Sequence, residues 1–177
     1  MSIIVHGSQG SGKPLYAPLL MQHFKLANVW DDGELREDLQ RMPGPKPPAI
    51  EPWYVYEWVE RHPDEFKGGR TLFLTSDEPP QHMARWRRVV HIFDAVNAAV
   101  ESGVRVHVRA MASDPQQAFT AQAVLEAIGV PAQCMNRYVL ARAHTTLCAL
   151  GWRRERTRNP FTHSLGWQYV SPAVQEA

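Results

Sequence analysis

The chain has 177 residues, 44% hydrophobic and 21% charged, proportions that suit a soluble globular protein with room for one ordinary domain or two small ones. No run of about 18 apolar residues occurs, so no membrane span is expected, and its two cysteines, Cys134 and Cys148, form neither a disulfide framework nor a metal-ligand spacing. The formal charge of +1 hides a division: residues 1–80 hold 8 Lys/Arg and 12 Asp/Glu (8 − 12 = −4), whereas residues 81–177 hold 11 Arg, no Lys and 6 Asp/Glu (11 − 6 = +5). An acidic front and an arginine-only basic back point to two tasks, the second involving a polyanion. The chain opens directly on an apolar strand, with no basic leader or cleavage site, and its thiols read as reduced; a cytoplasmic location is expected.

In chain order, Ile3-Ile4-Val5 is a buried β-branched strand. It runs into His6-Gly7-Ser8-Gln9-Gly10-Ser11-Gly12-Lys13-Pro14, where glycines let the backbone curl and turn several N–H groups toward one anion. A strand, a glycine loop and a helix in that order resemble the Walker A element of P-loop nucleotide-binding proteins, G-x-x-x-x-G-K-[ST], read from Gly7 to Pro14. The resemblance implies a phosphate site on Gly7, Gly10, Gly12 and Lys13, with the lysine ammonium against the outer phosphates, and ATP or another phosphate-containing ligand as its occupant. Pro14 departs from the pattern. It removes both the hydroxyl that would hold Mg²⁺ and a backbone N–H, yet suits the first turn of a helix. The expectation is therefore a P-loop kept as architecture, with no metal site and no catalytic residue assigned.

Leu15 to Phe24 reads as a helix with Leu19, Leu20 and Phe24 on its buried face. Leu26–Trp30 reads as a second strand ending in Asp31-Asp32-Gly33. Those carboxylates are either neighbours of a nucleotide at the carboxyl edge of a sheet or solvated turn residues. Residues 43–52 are proline-dense and read as a surface loop or lid. Trp53 to Arg61 reads as an amphipathic helix whose four aromatics dock on the core rather than stack on a base. Thr71–Thr75 is a buried strand ending in Ser76-Asp77-Glu78. Asp77 or Glu78 fits the acid that ends a Walker B strand, or simply the polar end of a strand.

From Arg85 two readings stand. One is a long helix with Met83, Trp86, Val90, Phe93 and Val96 on a stripe. The other, preferred because capping residues bracket its shorter helix, is a strand Val89–Ile92 followed by a helix Ala95–Glu101 capped by Asp94 and closed by Gly103. Val104-Arg105-Val106-His107-Val108 alternates with period two and reads as a strand, Arg105 and His107 on its wetter face. Ala112-Ser113-Asp114-Pro115 marks a domain boundary, giving domains 1–111 and 112–177.

Beyond it, Thr120 caps a helix over 121–128 that Gly129 stops, and Asn136 caps a second helix running to Leu150. Val139, Leu140, Ala143, Leu147 and Leu150 gather on one side of the second helix, with Tyr138, Arg142 and Thr145 opposite. Trp152–Arg158 reads as an arginine-rich edge strand. After a connection from Asn159-Pro160 to Gly166, Trp167–Val170 returns as its partner. Helix, turn, helix and ribbon make a winged helix-turn-helix. The runs Thr120–Gly129, Leu150-Gly151-Trp152-Arg153-Arg154 and Trp167-Gln168-Tyr169-Val170 resemble the winged-helix tails of phage and prophage replication proteins. The front half, through His6–Lys13, Asp31-Asp32, Leu74-Thr75 and Phe93-Asp94, is similar to small phage-encoded P-loop proteins, in which a threonine normally follows the lysine.

The expected architecture is α/β: a small P-loop-like parallel-sheet domain followed by a winged helix-turn-helix. The expected function is that of a phage- or prophage-type DNA-binding protein, an accessory of replication or regulation with a degenerate nucleotide-binding domain. Tyr138, Arg142 and Thr145 would meet base edges of double-stranded DNA, and Arg153, Arg154, Arg156 and Arg158 its phosphates. Two alternatives stand beside it. One is a P-loop NTPase or small kinase using Lys13, Asp31 and Asp77. The other is a phage-encoded interaction protein, or inhibitor of a host machine, whose winged helix grips a host or phage protein.

Overall fold

The computed structural model describes residues 1–31, 55–111, 118–158 and 165–171. Asp32, Gly33, the proline-dense run 43–52, Trp53, Tyr54, the boundary at Ala112–Pro115 and the Asn159-Pro160 connection lie outside them. The chain is an α/β protein with a four-stranded parallel sheet and a small antiparallel hairpin near its C-terminus. By contacts it divides into two compact units, Met1–Val96 and Asn97–Ala177.

The first unit is built on strands β1 (Ile3–His6), β2 (Asn28–Asp31), β3 (Thr71–Thr75) and β4 (Val89–His91), which lie side by side in the order β2-β3-β1-β4. Ile3, Ile4, Val5, Leu72, Phe73 and Leu74 are at most 2% exposed. Such near-continuous apolar runs belong to a parallel sheet covered on both faces. Helix α1 (Lys13–Phe24) follows the first strand. Pro18 inside it leaves the Pro14 carbonyl without its usual i+4 donor. It ends on Lys25, whose left-handed φ of 55° lets its N–H close back on the last turn. Helices α2 (Val55–Arg61) and α3 (Pro63–Gly68) precede β3. Of the aromatic cluster, Tyr56 is buried and Trp58 packs against a core that holds Trp30, Phe66 and Phe73, as expected for docking.

The strand expected over Val104–Val108 is not one. Helix α4 runs unbroken from Ile92 to Met111, so Asp94 lies in its first turn and Gly103 does not close it. Val96, Val100, Val104 and Val108, each four residues apart, are at most 5% exposed, while Val106 is 68% exposed. That is the stripe of a helix. Gly103 has a packing role instead: a Cβ there would stand 3.0 Å from Ile128 Cδ1. The unit division falls within α4, between Val96 and Asn97.

The second unit continues with α5 (Ala121–Ala127), a 3₁₀ turn (Ala132–Cys134) and α6 (Arg137–Ala149). Both expected caps are present: Thr120 Oγ1 accepts from the Ala123 N–H, and Asn136 Oδ1 accepts from the Tyr138 and Val139 N–H groups. Gly129 and Gly151, at φ 85° and 86°, terminate the two helices. Strands β5 (Arg153–Arg158) and β6 (Leu165–Val170) pair antiparallel, and Phe119 bridges to Tyr169 on the far side of β6. Phe119, Trp152 and Tyr169, all buried, lock the base of this ribbon through ring contacts of 4.6 and 6.1 Å. Cys134 is buried and Cys148 exposed, and no helix among the described residues is long and apolar enough to cross a membrane.

Candidate functional site

In the first unit, strand order places the site. The chain leaves β1 toward β2 and leaves β3 toward β4, so two neighbouring strands send their connections in opposite directions. In a parallel sheet a crevice opens at the carboxyl ends of such a pair. At that edge stand the loop Gly7–Gly12 after β1 and Ser76-Asp77-Glu78 after β3. Gly10 and Gly12 adopt φ of 79° and 80°, which a side chain would strain. Gly7, at φ 157°, has a steric reason as well: a Cβ on it would lie 2.6 Å from Ile92 Cγ2.

Lys13 is 4% exposed. Its Nζ donates to the Gly7 carbonyl at 2.7 Å, the Ser8 carbonyl at 3.0 Å, Ser76 Oγ at 3.3 Å and Ser11 Oγ at 3.4 Å. The ammonium thus closes the loop on itself and ties it to the end of β3. Gly7, Gly10, Gly12 and Lys13 are brought together. Pro14 occupies the first turn of α1. Asp31 ends β2, two strands from β1, and pairs in register with Leu74. The Asp77 carbonyl accepts from the Tyr56 hydroxyl at 3.1 Å.

A second group adjoins the loop. His6 lies in register with Thr75 on one side and His91 on the other, so all three side chains share a face of the sheet. The His6 and His91 rings meet edge to face at 5.2 Å. His6 Nδ1 is buried without a hydrogen-bond partner, with Glu78 Oε2 at 3.6 Å. Burial holds its pKa below the ordinary 6.5; Glu78 opposes that shift, His91 and Lys13 add to it, and Asp94 opposes it more weakly. Burial wins because Glu78 is 80% exposed, where water screens its charge. No cluster of three or more His, Cys, Asp or Glu forms a metal site among the described residues.

In the second unit the ribbon register separates the arginines. Arg154 lies opposite Tyr169, Arg156 opposite Trp167 and Arg158 opposite Leu165, whereas Arg153 lies opposite Val170 and Glu155 opposite Gln168. Alternation therefore puts Arg154, Arg156 and Arg158 on one face and Arg153 on the other. The three-arginine face is also the one whose base touches α6, for the Tyr169 hydroxyl meets His144 Nδ1 at 2.6 Å. Burial pushes the Tyr169 phenol above its ordinary range. Arg154 lays its guanidinium 4.3 Å from the Trp167 ring centre.

On α6, Tyr138 and Thr145 are exposed, and Thr145 Oγ1 donates to the Ala141 carbonyl at 3.0 Å. Arg142, its side chain 41% exposed, faces Glu101 of α4 with its guanidinium at 3.6 Å, and its Nε is buried without a partner. Arg137, absent from the sequence reading, covers the Tyr138 ring at 4.7 Å and donates to its hydroxyl at 2.7 Å. His6, His91 and Ser76 were also missed. Their one signal in sequence is position, since each ends or directly follows a strand of the sheet.

The chain matches no family model, no curated protein and no solved structure.

Proposed function

We propose that this chain is a DNA-binding protein of the phage or prophage kind, in which a P-loop-like unit that takes a phosphate-containing ligand is joined to a winged helix-turn-helix. One observation carries the reading: Arg154, Arg156 and Arg158 share the face of the ribbon that meets α6. A helix lying in the major groove and a wing meeting phosphates need their contacts on one common side. Arginine suits that task because its planar fork matches phosphate oxygens. The N-terminal turn of α6, with Arg137 and Tyr138 exposed, is the part of such a helix that meets base edges.

The test is titration with duplex DNA at several salt concentrations. Affinity is expected to fall steeply with salt, and Arg156→Ala to reduce the logarithmic slope by about one. Binding that ignores salt, or no binding, refutes the assignment.

The NTPase or small-kinase reading has one observation in its favour. Ser76 Oγ, 3.3 Å from Lys13 Nζ, brings to the loop a hydroxyl that Pro14 lacks. Metal-dependent ATP turnover that disappears in both Lys13→Ala and Ser76→Ala would establish it.

A further inference from the structure

We propose that the arginine face of the β5–β6 ribbon holds unpaired bases where a DNA duplex opens, with Trp167 and Arg154 as the stacking platform. The inference rests on the DNA-binding reading of the ribbon and goes beyond it, because a closed duplex presents phosphates and groove edges but no base faces.

Trp167 is 49% exposed, on an outer stretch of ribbon with Arg156 directly across from it. An indole half in water, on a face it shares with three arginines, does little for the core; Phe119, Trp152 and Tyr169 already pack the base of the hairpin. The Arg154 guanidinium over the ring, 4.3 Å from its centre, is a planar cation stacked on a π face. A base can extend such a stack as its next layer, while the neighbouring arginines hold the phosphates on either side. Charge favours that occupant over an apolar peptide. Arg154, Arg156 and Arg158 share the face with Trp167, and Glu155, the acid of β5, points to the other side.

The same device recurs on α6, where Arg137 covers Tyr138, itself 67% exposed. Among the described residues of the second unit, the exposed large apolar side chains are Val106, Tyr138 and Trp167. Both aromatics of that set carry an arginine on the ring. A helix face fitted to a duplex and a ring fitted to an unstacked base are satisfied together by a junction between double and single strand.

The experiment compares full-length protein on two labelled DNAs of equal length, a blunt duplex and a forked duplex whose arms are unpaired. A 2-aminopurine placed at the first unpaired position reports stacking. Wild-type protein is expected to bind the fork roughly tenfold more tightly than the blunt duplex and to quench the probe, given the usual worth of one base–aromatic stack. Trp167→Ala is expected to bring the fork down to the level of the blunt duplex and abolish the quenching; Trp167→Phe is expected to keep most of both. Arg156→Ala is expected to weaken the two DNAs alike. Equal wild-type affinity for fork and blunt end, or a preference that survives Trp167→Ala, overturns the proposal and leaves the duplex reading standing. Failure to bind either DNA overturns both.

Discussion

Arg142 and Glu101 face each other at 3.6 Å across the second unit, and Glu101 at the same time accepts from the Arg105 guanidinium at 2.9 Å. One carboxylate thus holds two arginines. The side chain that sequence placed at a base edge is engaged with a neighbouring helix. If Arg142 serves DNA, Glu101 competes with it. Glu101→Gln is then expected to raise duplex affinity about two- to tenfold at low salt, with the gain shrinking as salt screens the lost charge. An affinity that is unchanged or lower, measured by anisotropy across a salt series, assigns Arg142 to packing.

Lys13 joins the loop to the end of β3 from a buried position. Lys13→Ala removes a charged donor from the Gly7 and Ser8 carbonyls and is expected to cost about 1–3 kcal/mol of stability. It is also expected to abolish any rise in melting temperature produced by ATP or inorganic phosphate. Thermal denaturation with and without each ligand separates the two effects. A variant as stable as wild type would show that the internal bonds of Lys13 contribute little.

Gly7 and Ile92 are in contact where β1 ends and α4 begins. Gly7→Ala is expected to cost about 1–3 kcal/mol, because the added methyl meets a Cγ2 that cannot swing aside. Ile92→Ala removes that atom and leaves a cavity of its own. The double variant is therefore expected to lose less than the sum of the single losses. Chemical denaturation of the four proteins measures the coupling, and strict additivity would count against the contact.

His6 makes stability depend on pH in a definite direction. Its folded pKa lies below the unfolded value of 6.5, so between the two values the unfolded chain binds more protons. Its contribution is complete above pH 6.5 and is lost as pH falls through the folded value. His23, also depressed by burial, acts in the same sense. His6→Gln is expected to flatten part of the fall in melting temperature below pH 6.5 and leave the rest to His23 and the acidic groups. An unchanged profile would mean that the His6 ring takes its proton as readily folded as unfolded.

Local chemistry made much of this legible. The apolar strands, the glycine loop, both helix caps in the second unit and the arginine ribbon each depend on residues close together in sequence. The order β2-β3-β1-β4 does not, since nothing in Ile3-Ile4-Val5 says which strands will flank it. One error had further consequences. Val104, Val106 and Val108 satisfy a period of two, and only the more distant Val96 and Val100 reveal the spacing of four. Reading a strand there hid Glu101, which meets Arg105 at i+4 only on a helix. Without that pair nothing in the sequence could show that Arg142 is engaged by Glu101. The direction of the Lys13 side chain was equally out of reach, because Ser76 arrives from another strand.

The Thr71 N–H reaches Ser2 Oγ across 69 residues of chain, and β1 pairs with nothing nearer than β3. At ribosomal speeds of about 5–20 residues per second, that separation takes roughly 3–14 seconds to synthesise. For that time a nascent Ile-Ile-Val segment is without its mates, and the loop behind it lacks the second wall of its crevice. Newborn chains are thus most open to chaperones that grip apolar segments, or to adhesion between neighbouring polysomes, before Thr75 has left the exit tunnel.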